Sequence, residues 1–204
     1  MKKVAFAAAL VVAVIAAAPA GAHQTIVAKQ AAAPGAWCGG TLWKLETLSD
    51  SSKGAVNWNP VATGIPNIAA LVAPTRILAS RNSSFEKQTW AVTAVIERYR
   101  VQSNGEIAFE LYDVPSSMYM NAYMPNPKCL STSTRGRADI LAARTAFTKA
   151  CPPAASTWQP LGATVKLTGV GFWNPVKTTV GALGNGAELR PVTSFSLLQG
   201  CGKF

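Results

Sequence analysis

The sequence predicts a mainly β domain with one helix and five strands. Three observations carry that reading. Runs rich in β-branched and aromatic residues alternate in polarity and are broken by Asn-Gly, Pro and Ser turns. One stretch alone, Arg137 to Ala150, carries a helical period. That stretch sits between the third and fourth strand signals.

The first strand signal is "TWAVTAVIERYRVQ", from Thr89. Trp90, Val92, Ala94 and Ile96 fall on one face, and Ala91, Thr93, Val95 and Tyr99 on the other. Ser103-Asn104-Gly105 follows, and Asn-Gly tolerates the positive φ angles of a tight hairpin. "EIAFELYD", Glu106 to Asp113, returns as the second strand. Pro115 and two serines make the next turn, and "MYMNAYM" is the third strand. "RADILAARTAFTKA" consists mostly of good helix formers, with Ile140, Ala143, Arg144 and Phe147 on one side. Ser133 or Thr134 is expected to cap its start, and Pro152 and Pro153 stop it. "ATVKLTGVGFW" and "ELRPVTSFSLL" supply the fourth and fifth strands, with Pro191 marking an edge or a bulge. Upstream, Pro60, Pro66 and Pro74 exclude a long helix and predict short elements wrapped around the domain. Three meandering strands, a helix and two further strands is the element order of an OB-fold, a five-stranded Greek-key barrel, with a β-sandwich carrying one stray helix or an α+β roll as the competing fold. Here it would carry an N-terminal extension.

The N-terminus is read separately. Lys2 and Lys3 precede the apolar run Val4 to Ala18, which is followed by Pro19 and the small residues Ala20 to Ala22. This is the order of a secretory signal, and the run is shorter than the ~20 residues that span a bilayer. Residues 1–22 are therefore expected to be removed, residues 23–36 to form a flexible leader, and residues 37–204 to form one domain. No transmembrane helix is expected after the cut, and the expected location is secreted or periplasmic.

All four cysteines lie beyond the signal, at Cys38, Cys129, Cys151 and Cys201. An even count in an exported chain favours two disulfides. Of the three pairings, Cys129–Cys151 would bracket the helix and Cys38–Cys201 would tie the ends, and these are the expected pairs. No Cys-x-x-Cys spacing and only one histidine, His23, argue against a zinc site. No metal or cofactor is expected.

Two of the 19 Lys and Arg residues precede the cut, leaving 17 against 9 Asp and Glu, a net charge of +8. Such a charge favours an anionic partner: nucleic acid, glycan or an envelope component. The cations expected to bind it are Arg98 and Arg100 on the first strand, Lys166 on the fourth, Lys177 in the connection and Arg190 on the fifth, with Trp173 as a stacking face. Arg98 and Arg100 are placed on the face that carries Trp90 and Ile96. The connection, about Pro175 to Ala187, would be shaped by Gly181, Gly184 and Gly186.

"TGVGFW", "NGAELRPV", "CGGTLWKLETLSD" and "RYRVQSNGEIAFELYD" resemble segments of a group of exported bacterial proteins without an established function. The resemblance spans about Cys38 to Val192. It implies an exported protein and no particular activity. In that group an Asp, a His-Gly-Gln and a His stand where this chain has Asn174, Lys177-Thr178-Thr179 and Arg190. Gly181, Asn185, Gly186, Glu188 and Leu189 fit the group's pattern. The replacements suit holding an anion better than moving a proton.

With His23 in the leader, Ser-His-Asp and Cys-His systems have no base. No catalytic residue is therefore assigned, and the chain is expected to bind rather than catalyse. The alternative is a metal-assisted, nuclease-like hydrolase using Glu106, Glu110 or Glu188. Glu106 and Glu110 lie four residues apart on one strand, roughly 13 Å at strand rise, too far to share an ion. Glu188 or Asp139 would have to supply the second carboxylate.

Overall fold

The computed structural model describes residues 38–201. The expected signal segment, the leader with His23, and Trp37 lie outside the described residues. The described chain is mainly β, with six strands in one sheet and few helices. The strands are β1 (Asn57–Ala62), β2 (Gln88–Val101), β3 (Ile107–Asp113), β4 (Met118–Met124), β5 (Gln159–Trp173) and β6 (Ala187–Gln199). The α-helices are α1 (Trp43–Glu46), α2 (Ile65–Ala69) and α3 (Arg137–Ala150). All five expected strands and the expected helix are present. β1 and the two short helices are additional; β1 and α2 fall in the segment where prolines predict short elements, and α1 lies upstream of it.

The strand order is β1-β2-β3-β4-β6-β5, and β2 also pairs with β5. β2 can do both because it is long. Its second half pairs antiparallel with β3, Val95 to Val101 against Tyr112 to Ile107. Thr89 to Tyr99 pair antiparallel with β5 on the other edge. The β4–β6 contact is one parallel pair, Ala122 with Leu189. β1 runs parallel to the start of β2, and its register breaks between Asn57 and Val61, where Pro60 cannot donate to the ladder.

The core lies on one side of the sheet and is closed by α3. Ile96 and Tyr99 of β2, Ile107, Phe109 and Leu111 of β3, and Met120, Ala122 and Met124 of β4 all point into it. Phe147 of α3 meets Tyr99, Phe109 and Phe195 edge-on, with ring centres 5.6, 4.9 and 5.5 Å apart. Each such side chain contributes about 1.5–3 kcal/mol by burial. Ile140, Ala143 and Phe147 are the buried stripe of α3. Arg144, on the same side, instead reaches over the strand ends and donates to the carbonyls of Met124, Pro125 and Gly105.

Three expectations are corrected in detail. The helix start is not capped by Ser133 or Thr134; Gly136, in a left-handed conformation, precedes the first turn without a side-chain cap. The disulfides are Cys38–Cys129 and Cys151–Cys201, not the pairs expected. Cys151 is the C-cap of α3, and β6 runs back to deliver Cys201 there, while Cys38 meets the turn Pro127–Cys129. The register of β2 shifts between Ile96 and Arg98 against both neighbours. That bulge at Glu97 turns Arg98 and Arg100 to the face opposite Ile96, so they do not share its side. Pro191 follows a cis peptide bond at Arg190, within a register irregularity between β5 and β6.

A second anchor fixes the N-terminal segment. Arg81 is buried and donates to Asp50, to the carbonyl of Leu45 at 2.6 Å and to that of Glu86 at 3.1 Å. Burial lowers its pKa, and the Asp50 carboxylate opposes that shift. This network and Cys38–Cys129 hold α1 and the chain after it against the sheet. No described helix is long and apolar enough to cross a membrane.

Candidate functional site: a charged sheet face beneath the β5–β6 connection

Successive residues of a strand point to opposite faces, so the residues between the core positions form a second face. On β2, β3 and β4 that face reads as two rows. Arg98, Glu110 and Asn121 are paired across the strands, and beside them run Arg100, Ala108 and Tyr123. β6 adds Glu188 and Arg190. The segment before Glu46 and the β5–β6 connection cover much of this face, so β3 is buried on both sides from Ile107 to Leu111.

The connection is pinned rather than free. Leu183 enters the core. Asn185 donates its amide to the carbonyls of Ile68, Ala69 and Leu71 at the end of α2, at 2.9–3.2 Å. The Asn174 N–H donates to the Gly186 carbonyl at 2.8 Å. Gly181 and Gly186 both have φ of +78°, and a side chain on Gly181 would strike Asn121 and Glu110. Gly184 has open space around it and no such constraint.

Arg190 is the centre of the face. Its side chain is 9% exposed. Nε and Nη2 donate to the two oxygens of Glu106, and Nη2 lies 3.0 Å from Glu46 Oε2. The guanidinium also stacks on Tyr123, 4.5 Å from the ring centre, and lies 5.7 Å from that of Phe172. Burial works against its charge, but the carboxylates of Glu106, Glu46 and Glu188 outweigh burial and raise its pKa. Burial pushes Glu46 up to about 8, with Arg190 opposing and Glu106 and Glu188 adding to the rise. Glu188 is pushed up to about 7 by burial, against a hydrogen bond from Asn174 Nδ2 at 2.8 Å. Burial also raises the Tyr123 hydroxyl, keeping it neutral.

The other expected residues are dispersed. Arg98 donates to both oxygens of Glu110, at 2.5 and 3.0 Å, and its own side chain is 40% exposed. Among the described residues Arg100 makes no ion pair with a carboxylate. Its guanidinium lies 4.8 Å from the ring centre of Trp158, and that of Arg98 lies 5.9 Å from the same ring. Lys177 is exposed on the connection, its stem against Gly186. Lys166 is exposed on β5, six residues from Phe172, roughly 20 Å along the strand. It lines a different cleft, with Thr168, Ser194 and Ser196. Trp173 is 1% exposed, packs on Phe85 and donates to Ser83 Oγ, so its ring is a core element. The face thus gathers Arg98, Arg100 and Arg190, while Lys166 and Trp173 lie elsewhere.

Two of the carboxylates considered for metal chemistry are engaged. Glu106 is held by Arg190 and Glu110 by Arg98. Asp139 lies on α3, beside a cleft lined by Trp58, Thr89 and Thr193. Among the described residues no three His, Cys, Asp or Glu side chains are grouped to hold a metal ion. Sequence reasoning missed Glu46, Asn121 and Trp158. Only the three-dimensional approach of residues far apart in the chain reveals them.

A cleft of about 390 Å³ opens at the edge of this face, between Gly39 to Leu42, Gln102, Asn174 and the start of the connection. Arg100, Glu46, Tyr123 and Arg190 line its polar side. Compared with models of protein families and with curated proteins, the chain matches none.

Proposed function

We propose that the protein is an exported, disulfide-bonded binding module of OB-like architecture that holds an anionic ligand or polymer and performs no catalysis. The pairings support the architecture. β2, β3, β4, β6 and β5 follow one another and β2 pairs again with β5, with α3 between β4 and β5. OB-folds bind ligands on the outer face of their second and third strands and with the two loops beside it. The equivalents here are β3 and β4, the turn 102–106 and the connection 174–186. The disulfides and the N-terminal signal pattern support export.

One observation carries the binding reading. On that face Arg98 and Arg100 share the Trp158 ring, and among the described residues Arg100 has no carboxylate partner. A stacked guanidinium with free donors suits a carboxylate, sulfate or phosphate group. Arg190 and Arg98 serve differently from the expected anion-holding role, because their charges are matched within the protein. The test is retention on a heparin column. Arg100→Ala and Trp158→Ala should each elute at lower salt than the parent chain. Unchanged elution of both variants rejects the reading.

A further inference from the structure

A groove that shares no residue with the cleft beside Arg100 runs over β1, β5 and β6. It consists of two adjoining spaces, of about 480 and about 400 Å³, joined at Pro60, Thr168 and Ser194. Each lies within the usual range of small-ligand sites, roughly 300–1,000 Å³. Its floor is a row of strand partners, Ala62, Ala91, Thr168 and Ser194, taken from β1, β2, β5 and β6 in turn. Lys166 and Ser196 are paired in a neighbouring row. These residues alternate with Val92, Val165, Leu167 and Phe195 of the core, so they face outward. On the α3 side the wall is made of Ala142, Ala143, Ala146 and Asp139. The three alanines leave room that longer side chains would fill.

Trp58 is the fixed aromatic element of the groove. Its ring lies against Gly136, where a Cβ would strike it, and Gly136 has a φ of +64°. The Arg135 guanidinium lies 5.3 Å from the ring centre and is itself held by the carbonyls of Lys53 and Gly54, at 2.7 and 2.8 Å. The indole is therefore backed by rigid backbone while its remaining surface lines the groove. Thr89 and Thr193 direct their hydroxyls to the Asn57 and Thr168 carbonyls, at 3.0 and 3.3 Å. Ser194 and Ser196 are exposed and present theirs to the groove. A hydroxyl both donates and accepts. The charged side chains of the lining are Asp139 in one space and Lys166 in the other, so their charges balance. An anion gains nothing net from such a lining. A pyranose ring fits it: uncharged, with hydroxyls that donate and accept around its rim and C–H groups that give its face an apolar surface for an indole.

We propose that this groove is a second binding site, independent of Arg100, and that it takes a neutral oligosaccharide, with one sugar ring against Trp58 and the next over Thr168, Ser194 and Ser196.

The experiment titrates the full mature chain by calorimetry with cellotetraose, chitotetraose and maltotetraose. At least one of the three should bind with a Kd of about 1 mM or tighter. Ala142→Phe, at an exposed position on α3, places a ring in the groove and should weaken that binding about tenfold or more. Ser194→Ala should weaken it about threefold, the loss of one hydrogen bond. Trp58→Ala should weaken it about tenfold by removing the stacking surface; if its melting temperature falls, the two exposed variants decide. Arg100→Ala should leave tetramer binding unchanged, and Ala142→Phe should leave heparin retention unchanged. Failure of all three tetramers to bind, binding that survives both Ala142→Phe and Ser194→Ala, or binding that is lost with Arg100→Ala overturns the inference. Heparin retention that ignores Arg100 rejects the anion-binding reading and leaves this site standing.

Discussion

Replacing Arg190 with methionine isolates the centre of the charged face. The methionine keeps an apolar stem against Tyr123 and Phe172 and removes the guanidinium that hydrogen-bonds Glu106. Glu46 loses its ion pair in the same step. Breaking a buried pair by removing one partner costs about 3–5 kcal/mol, because the other charge is left uncompensated. With a slope near 2 kcal/mol per molar urea, the unfolding midpoint should fall by about 2 M at pH 8.5. At pH 5 the loss should be smaller. Without the guanidinium, burial holds the folded-state carboxyl pKa values above their unfolded values. The folded variant then binds more protons than its unfolded chain, and its stability falls as pH rises. At pH 5 neutral carboxyls leave mainly the lost hydrogen bonds, about 1–2 kcal/mol. Urea titrations of parent and variant at the two pH values measure both losses. A loss equal at both pH values, or below about 1 kcal/mol at pH 8.5, would refute the assignment of Arg190 as the counter-ion of a buried carboxylate cluster.

Three further outcomes are expected. Glu46 and Glu188 have folded-state values of about 8 and about 7, above the ordinary carboxylate range. Their contribution to stability is complete below that range and lost as pH rises through 7 to 8, so the parent chain should melt at a higher temperature at pH 5 than at pH 9. Glu46→Gln with Glu188→Gln should flatten that difference, as thermal melts would show. Arg81→Met leaves Asp50 and the carbonyls of Leu45 and Glu86 without their donor, and should cost about 3–5 kcal/mol in urea titration. Replacing Cys151 and Cys201 with alanine opens a span of 50 residues and should cost about 4 kcal/mol by chain entropy, while Cys38–Cys129 remains resistant to alkylation.

The strands and the long helix were legible because their signals are local. Asn104-Gly105 between two alternating runs, and Pro152-Pro153 after a helical period, each fix an element without reference to the rest of the chain. The features that sequence misplaced depend on contacts between distant segments. Arg98 and Arg100 change face because Glu97 is bulged against two partner strands at once, which an alternation count cannot detect. Phe172 and Trp173 are adjacent and both buried, so hydrophobicity could not say which one entered the core. The disulfide pairing turns on where β6 ends relative to α3, again a matter of topology. Arg190 looked like a free cation because its partners, Glu46 and Glu106, stand 144 and 84 residues away in sequence.

The composition of the charged face bears on why it is there. A sheet face that merely needed covering could be covered with apolar side chains. Replacing a buried ionic cluster with well-packed apolar residues often leaves a protein as stable or more so, by about 1–4 kcal/mol. Glu46, Glu106, Glu188 and Arg190 are therefore poor candidates for a purely stabilising device. What they provide is orientation. Arg190 is fixed by Glu106 and by the Tyr123 ring, and in turn fixes Glu46 at the wall of the cleft. Glu188 and Asn174 tie the root of the connection to the same cluster. Arg100, stacked on Trp158 and without a carboxylate partner among the described residues, is held beside this rigid acidic patch. A ligand bound there meets a cation whose position is already set, so little of its binding energy goes into ordering the protein. That division of labour, with Arg190 fixing the wall and Arg100 meeting the ligand, predicts opposite results for the two arginines. Arg190→Met should act mainly on stability, and Arg100→Met mainly on retention by an anionic polymer.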